Sequence, residues 1–470
     1  MEFDPGSYRD RDARVFAGAD GQIYRTLSPS ALAEWKAVSN AAFFQEAMQS
    51  GRVVQTDLLN DARSAGVNGQ THSSWAGILH HELVPFVSYP YEWTFSMLRA
   101  AALLHLELLI SAVESNFILK DGTAYNVQWR GLQPVFIDVA SFERLPPGTP
   151  WAGYRQFCQT FLYPLFLLAY KGIAFHPWLR GRLEGITPRD CWQLMSFRDV
   201  FRRGVATHVG MHAWMESKPA TAKGKTSAAL ADAGFGKDLI LNNARGLIKL
   251  IERLRWSPPK STWSDYAQSN HYTDVDRQAK QQFVRRSVQT RHWRQVWDLG
   301  GNVGLFGEIA AENADLVLIV ESDHAAMEHG YQRLQSAPAN VRQRVLPLVG
   351  NVVDLAGNVG WRGRERRAFV ERGQPDLILC LALIHHVVIG HGVPMDEFMD
   401  WLADLRASLV IEFVARDDPK VQEMMQNRRD ACVDYSAEAF ETALARRFRV
   451  HARETLSSGT RTLVFAEPQP

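Results

Sequence analysis

Cysteine is scarce in this chain: four residues in 470, at Cys158, Cys191, Cys380 and Cys432, with no CxxC pair among them. Such spacing indicates neither a zinc site nor a disulfide framework, and it reads as a chain kept reduced. Excess charge is also missing, since 52 Lys and Arg stand against 51 Asp and Glu for a formal charge of +1. With no whole-chain field to draw in nucleic acid or an anionic membrane, a small or neutral partner is the expectation. The opening "MEFDPGSYRDRDARVF" lacks the basic start and apolar core of a signal peptide. Uninterrupted apolar runs of bilayer length are absent too. "FLYPLFLLAY" contains Pro164, and "MLRAAALLHLELLISAV" carries Arg99, His105 and Glu107 at the spacing of an amphipathic helix. A cytoplasmic protein without a membrane or nucleic-acid partner is therefore expected.

What is present is ample material for folded cores: 46% hydrophobic, 22% charged and 11% aromatic residues over a length suited to two or three domains. The first 150 residues read as a mixed α+β domain. A strand-like "GQIYRTL" precedes a helical "SPSALAEWKAVSNAAFFQEAMQ" with Ser28 or Ser30 as its cap, and a long amphipathic helix is expected from Tyr91 to about Phe117. "LKDGTAYNVQWRGLQPVFIDVASFE" then predicts a small hairpin. Residues 151–260 continue this domain in mostly helical, aromatic sequence. They are interrupted at 216–237 by a stretch rich in Lys, Ala, Thr and Gly that predicts a mobile surface loop. The prolines of "RWSPPKSTW" mark a boundary.

Beyond it, over 261–470, the pattern changes. "QVWDLG", "DLVLIVE", "RVLPLVGN", "DLILCLALI" and "SLVIEFVA" are apolar strands separated by turns and helices, the signature of a parallel sheet covered on both faces. "FRVHARETL", the turn "SSGTR" and "TLVFAEP" predict a closing antiparallel hairpin and hence seven strands. Ligands of open α/β sheets sit beyond the carboxyl ends of the strands. "DLGGNVGLF" falls there, with Gly300, Gly301 and Gly304. A dinucleotide loop needs glycine where Asn302 and Leu305 stand, and no GK[ST] follows, so neither a pyrophosphate cradle nor a P-loop is indicated. Asp298 before the loop suits a ligand with a cationic amino-acid end. Glu321, with Asp323 close behind, ends the second strand where a carboxylate accepts from ribose hydroxyls. Asp354 follows the third strand, where an acceptor would meet an adenine amino group.

Together these features resemble a class I S-adenosylmethionine-dependent methyltransferase over roughly residues 265–467, with a Rossmann-like seven-stranded sheet. The resemblance implies that Gly300, Asn302 and Gly304 line the methionine part, Asp298 its ammonium, Glu321 the ribose and Asp354 the adenine. "DLILCLALIHHVVIGHGVP" and "IEFVARDDPKVQEMMQNRRDACVDYS" resemble, more narrowly, a family of bacterial methyltransferases related to nodulation protein NoeA. That likeness extends into the first half through "FVSYPYEWTFSMLRAAALLHLELL" and "GYRQFCQTFLYPLFLLAY". The fourth strand faces the transferring methyl in this fold, and it leads into "LIHHVVIGHG". His385 or His386 there is a candidate general base, or a brace for the loop. His391 is a lid or surface residue, and Asp417 and Asp418 line the acceptor pocket or are plain loop charge. Tyr266 and Tyr272, upstream of the first strand, are candidate lid aromatics or members of a packed helix face. No metal is expected.

The first half poses a separate question. Asp121, Asn126 and Asp138 resemble the catalytic loop and metal-binding aspartate of kinase-like folds. Lys120 stands where an HxD pattern is usual, "DVA" replaces "DFG", no glycine-rich loop precedes a VAIK-like strand, and Lys36 lies in a helical pattern. A kinase-like relic that binds or presents the acceptor is one reading, an active kinase a second, and an Asp/Asn turn capping a hairpin a third. The acceptor would be a small molecule or a modified peptide.

Overall fold

The computed structural model describes residues 3–59, 75–217, 236–258, 273–426 and 435–469. Most of the 216–237 stretch, Cys432, Tyr266 and Tyr272 lie outside the described residues. The chain divides into two compact units. One comprises Met1–Trp129, Pro134–Ser257 and Asn358–Arg367, the other Arg130–Gln133, Pro258–Gly357 and Ala368–Pro470.

The first unit opens with a four-stranded antiparallel sheet of β1 (Ala13–Ala17), β2 (Ile23–Leu27), β3 (Thr56–Leu58) and β4 (Gly77–His81), in the order β1-β2-β4-β3. The helical run between β2 and β3 is two helices, Pro29–Ser39 and Ala42–Gln49, rather than the single one the sequence predicts. Ser28 caps the first, its hydroxyl accepting from Ala31 N–H at 3.2 Å. Asn40 Nδ2 then donates to the Lys36 carbonyl and ends that helix. Lys36 lies within it, as the helical pattern predicts.

Phe95–Glu114 is the unit's central helix, begun by Thr94, which accepts from Met97 N–H at 3.2 Å. By length and composition it passes for a membrane span, with a mean hydropathy of 1.5 over an 18-residue window, which corrects the reading that its polar residues break the run. Five of its six leucines are instead buried in protein, each fully buried one contributing about 1.5–3 kcal/mol. Arg99 reaches sideways to the Ile251 carbonyl at the end of helix Lys237–Arg253. His105 is enclosed by Phe136, Trp151, Phe157 and Phe161, and burial lowers its pKa to about 3. It is a neutral core residue.

After this helix, β5 (Phe117–Leu119) pairs with β8 (Phe142–Arg144), while β6 (Val127–Arg130) and β7 (Gln133–Phe136) form the predicted hairpin. Its turn runs through Gly131, at φ 56°.

The second unit is built on a seven-stranded sheet. Its strands are β9 (Trp293–Leu299), β10 (Ala314–Glu321), β11 (Val345–Val349), β12 (Leu377–Cys380), β13 (Ser408–Val414), β14 (Phe448–Thr455) and β15 (Arg461–Pro468). They run in the order β11-β10-β9-β12-β13-β15-β14. The first five are parallel and β15 is antiparallel to both of its neighbours. All five predicted parallel strands and the closing hairpin are present. β13 is buried at every position and β12 likewise, which is why each reads as a continuous apolar run. β9 is central, flanked by β10 and β12, so the loop leaving it sits at the point where the strand order reverses.

Candidate functional site

β9 delivers Asp298 to the carboxyl edge of the sheet, opposite Ile319 of β10 and Leu379 of β12. The glycine loop turns over it. Gly300 (φ 69°), Asn302 (φ 51°) and Gly304 (φ 82°) all adopt the left-handed conformation, which Gly takes freely and Asn tolerates. The N–H groups of Gly300 and Gly301 donate to the Val320 carbonyl at 2.8 and 3.1 Å and hold the loop against β10. A Cβ on Gly301 would lie 2.6 Å from Ile319 and 2.8 Å from Asp298 Oδ2, so this close approach excludes any side chain.

Asp298 is 1% exposed, and its Oδ2 has no hydrogen-bond partner among the described residues. Burial pushes its pKa up to about 7, opposed by the Gly307 N–H and the nearby Lys280 charge. Glu321, at the end of β10, is likewise buried and raised. Its carboxylate accepts from Asn302 N–H at 3.0 Å, Asp323 N–H at 2.9 Å and the Ser322 hydroxyl at 3.1 Å. One loop thus joins two buried carboxylates, and a cationic ligand would relieve the cost of ionising both. Asp323 is employed differently. Its Oδ1 caps helix His324–Leu334 through the N–H groups of Ala325 and Ala326, at 2.8 and 3.2 Å. Asp354 is an exposed residue closing a turn with Asn351, beyond the end of β11.

β12 ends at Cys380, and the chain passes through Ala382 at φ 52°, a strained conformation for a residue with a Cβ. Leu383 then lies beside the glycine loop, 3.0 Å from where a Cβ of Gly300 would stand. His386–Gly390 forms a π-helical turn, a distortion frequent at functional sites. The rings of His385 and His386 are 4.0 Å apart. His385 is fully buried, and neither ring nitrogen has a hydrogen-bond partner among the described residues. His386 is partly open. Burial, with Lys420 next in weight, lowers its pKa to about 4, so it is a neutral acceptor at pH 7. His391 is exposed at the end of the turn.

Below the site runs a charge network with no clear sequence signal. Lys280, on helix Asp274–Val288, places Nζ 2.6 Å from Glu412 of β13 and 4.8 Å from the Phe306 ring centroid. Arg461 of β15 reaches Glu412 at 3.5 Å and Asp418 at 2.9 Å. Asp418 is consequently buried and committed rather than loop charge, whereas Asp417 is exposed.

In the first unit the structure does bring Asp121, Asn126 and Asp138 together. Asn126 Nδ2 donates to Asp138 Oδ2 at 3.2 Å, and burial together with the Asp138 charge raises Asp121 to about 6. The sequence reading missed Arg25. It stands on β2, 113 positions from Asp138, and its Nη1 meets Asp138 Oδ1 at 2.7 Å. The strand-like run "GQIYRTL" placed Arg25 on a strand but could not reveal so distant a partner.

No protein-family model matches the chain. Among solved structures it is similar to the N-methyltransferase NodS from Bradyrhizobium japonicum, with 13% identity and a TM-score of 0.31, covering 42% of this chain and 98% of that one. It is also similar to magnesium protoporphyrin IX methyltransferase from Synechocystis, with 16% identity and a TM-score of 0.31, covering 44% of this chain and 93% of that one. At these identities and scores no residue's role passes from either to this chain. Among curated proteins, nodulation protein NoeA from Rhizobium meliloti is 34% identical over 98% of this chain and 95% of its own length. That extent of identity spans both units, and the chain belongs to the NoeA family.

Proposed function

We propose that the chain is an S-adenosylmethionine-dependent methyltransferase acting on an oxygen or nitrogen of a small molecule or modified peptide in the cytoplasm, with the first unit contributing to acceptor recognition. The observation that carries this reading is the orphaned, buried Asp298 Oδ2 under a loop of three left-handed residues, one strand from Glu321. Asp298 suits an ammonium group and Glu321 a pair of vicinal hydroxyls. The closely packed glycines let backbone, not side chains, line the space between. The cofactor supplies an electrophilic methyl group; the chain's own residues align the acceptor and hold its proton. His386, neutral and partly open, accepts that proton. His385 fixes the ring stack from behind.

The test is calorimetry with S-adenosylhomocysteine. Binding is expected to the full chain, lost in Gly300→Arg and weakened in Glu321→Ala. A wild-type chain that binds none sinks the proposal.

A bifunctional kinase and methyltransferase is the second reading, favoured by the convergence of Asp121, Asn126 and Asp138. Against it, both Asp138 oxygens are engaged, one by a guanidinium that is permanently charged. Arg25 stands where a cation would otherwise neutralise the acid, which supports a relic over an active phosphotransferase. A cofactor-binding scaffold without catalysis is distinguished by activity alone.

A further inference from the structure

The first unit presents a cluster of large apolar side chains to solvent that neither its core nor the proposed methyl-transfer chemistry employs. Phe197 is 81% exposed and Phe201 78%, their rings 5.6 Å apart and edge to face on the 3-10 turn Phe197–Phe201. Helix Met211–Glu216 adds Met211, Trp214 and Met215, spaced i, i+3 and i+4 on one face and all exposed. Trp192 joins them, its ring so close to Gly210 that a Cβ there would stand 2.9 Å away. Phe197, Phe201, Trp214 and Trp192 together leave on the order of 400 Å² of ring surface exposed, the scale of a functional patch on a typical monomer.

The rings are held out by an ordered support. Asp199, between the two phenylalanines, is buried. It accepts from Lys171 at 2.6 Å and from the hydroxyl and N–H of Ser196 at 2.6 and 2.8 Å, and it pairs with Arg202 at 3.1 Å. This carboxylate ties the turn to the body of the unit. The two side chains on either side of it stand in solvent.

Charge decides what the patch meets. Every acid of residues 188–216 is already paired: Asp190 with Arg182, Asp199 as above, and Glu216 with Arg155. Arg198 and Arg203 are exposed, and no carboxylate partner is found for either among the described residues. Rings and methionines beside two exposed arginines with no carboxylate partner among the described residues match the boundary between anionic headgroups and acyl chains.

We propose that this face, centred on Phe197 and Phe201 and flanked by Arg198 and Arg203, docks the protein reversibly on an anionic lipid bilayer. That departs from the expectation of no membrane partner, which rested on whole-chain charge and the want of a bilayer-length apolar run, neither of which registers a local patch.

The full-length chain is tested by co-sedimentation with vesicles of phosphatidylglycerol and phosphatidylcholine, and of phosphatidylcholine alone. Binding to the anionic vesicles is expected to exceed that to neutral ones by about fivefold or more and to fall at high salt. Phe197→Ser with Phe201→Ser should weaken it roughly tenfold. Arg198→Glu with Arg203→Glu should erase the preference for anionic lipid. Unchanged S-adenosylhomocysteine affinity, or an unchanged melting transition if that ligand does not bind, shows that each variant is folded. No sedimentation with either vesicle, equal sedimentation of variants and wild type, or wild-type self-association lost in the Phe variants would each overturn the proposal, the last by making a second copy the occupant.

Discussion

Asp298 concentrates the chemistry of the proposed cofactor site in one carboxyl group. Its pKa is raised to about 7 by burial, so in the free protein it holds a proton through most of the acidic range. The sign follows. Native Asp298 binds its proton more tightly than the unfolded chain does, so its contribution to stability is complete below an ordinary aspartate pKa and is lost as pH rises through about 7. A ligand ammonium needs the ionised form, so affinity runs the other way. S-adenosylhomocysteine affinity is expected to increase from pH 5.5 to pH 7 by up to about tenfold per unit and then level, while Asp298→Asn binds weakly with a flat profile. Calorimetry across that range checks both statements, and a wild-type profile as flat as the variant's removes Asp298 from the ammonium. His386 makes a separate prediction. Because its pKa is lowered to about 4, the rate of methyl transfer to an authentic acceptor should be independent of protonation of this ring above about pH 5. If His385→Ala and His386→Ala both retain full activity, no base acts there. Asp298, Gly300 and Glu321 were legible as single residues because their backbone positions relative to a strand end define them. Arg25 was not, since its meaning resides in a partner 113 positions away.

Helix Asp274–Val288 shows what escapes at the scale of an element. Its sequence is strongly polar, so Lys280 looks like one more solvated cation, yet its ammonium is enclosed against Glu412 at 2.6 Å and lies over Phe306 of the helix that follows the glycine loop. That helix, β13 and β15 are fastened to each other by the Lys280, Glu412, Arg461 and Asp418 chain of contacts. Removing one partner leaves a buried charge uncompensated. Lys280→Met is therefore expected to destabilise the second unit by about 3 kcal/mol in denaturant unfolding, and Lys280→Met with Glu412→Gln by less than that. Additive losses would show the pair to be uncoupled. The strands of the same unit were readable for the opposite reason: parallel strands buried on both faces are continuously apolar, and a short hairpin carries its own turn signal. The sheet of the first unit has neither property. Its strands are three to five residues long, and β4 inserts between β2 and β3, so pattern alone recovered only β2.

Over the whole molecule, the NoeA likeness covers both compact units, whereas the residues proposed to hold the cofactor all belong to one of them. A ligand that binds only the native second unit stabilises it by about 2.7 kcal/mol at a hundred times its dissociation constant. Hydrogen exchange should locate that effect. S-adenosylhomocysteine is expected to slow exchange in the glycine loop at 299–308, at the end of β10 and in the turn at 382–391, and to leave β1, β2 and β4 unchanged. Magnesium and ATP together should slow none of these, because Arg25 and Asn126 already occupy Asp138. Protection of residues 117–144 by magnesium and ATP, abolished in Asp138→Ala, would restore the kinase reading. The same protection retained in that variant would point to nucleotide held elsewhere. If the acceptor, once known, slows exchange in the first unit while S-adenosylhomocysteine alone does not, acceptor recognition belongs to the residues that precede the glycine loop. An acceptor that protects only the second unit would leave the first with the lipid surface as its remaining proposed partner.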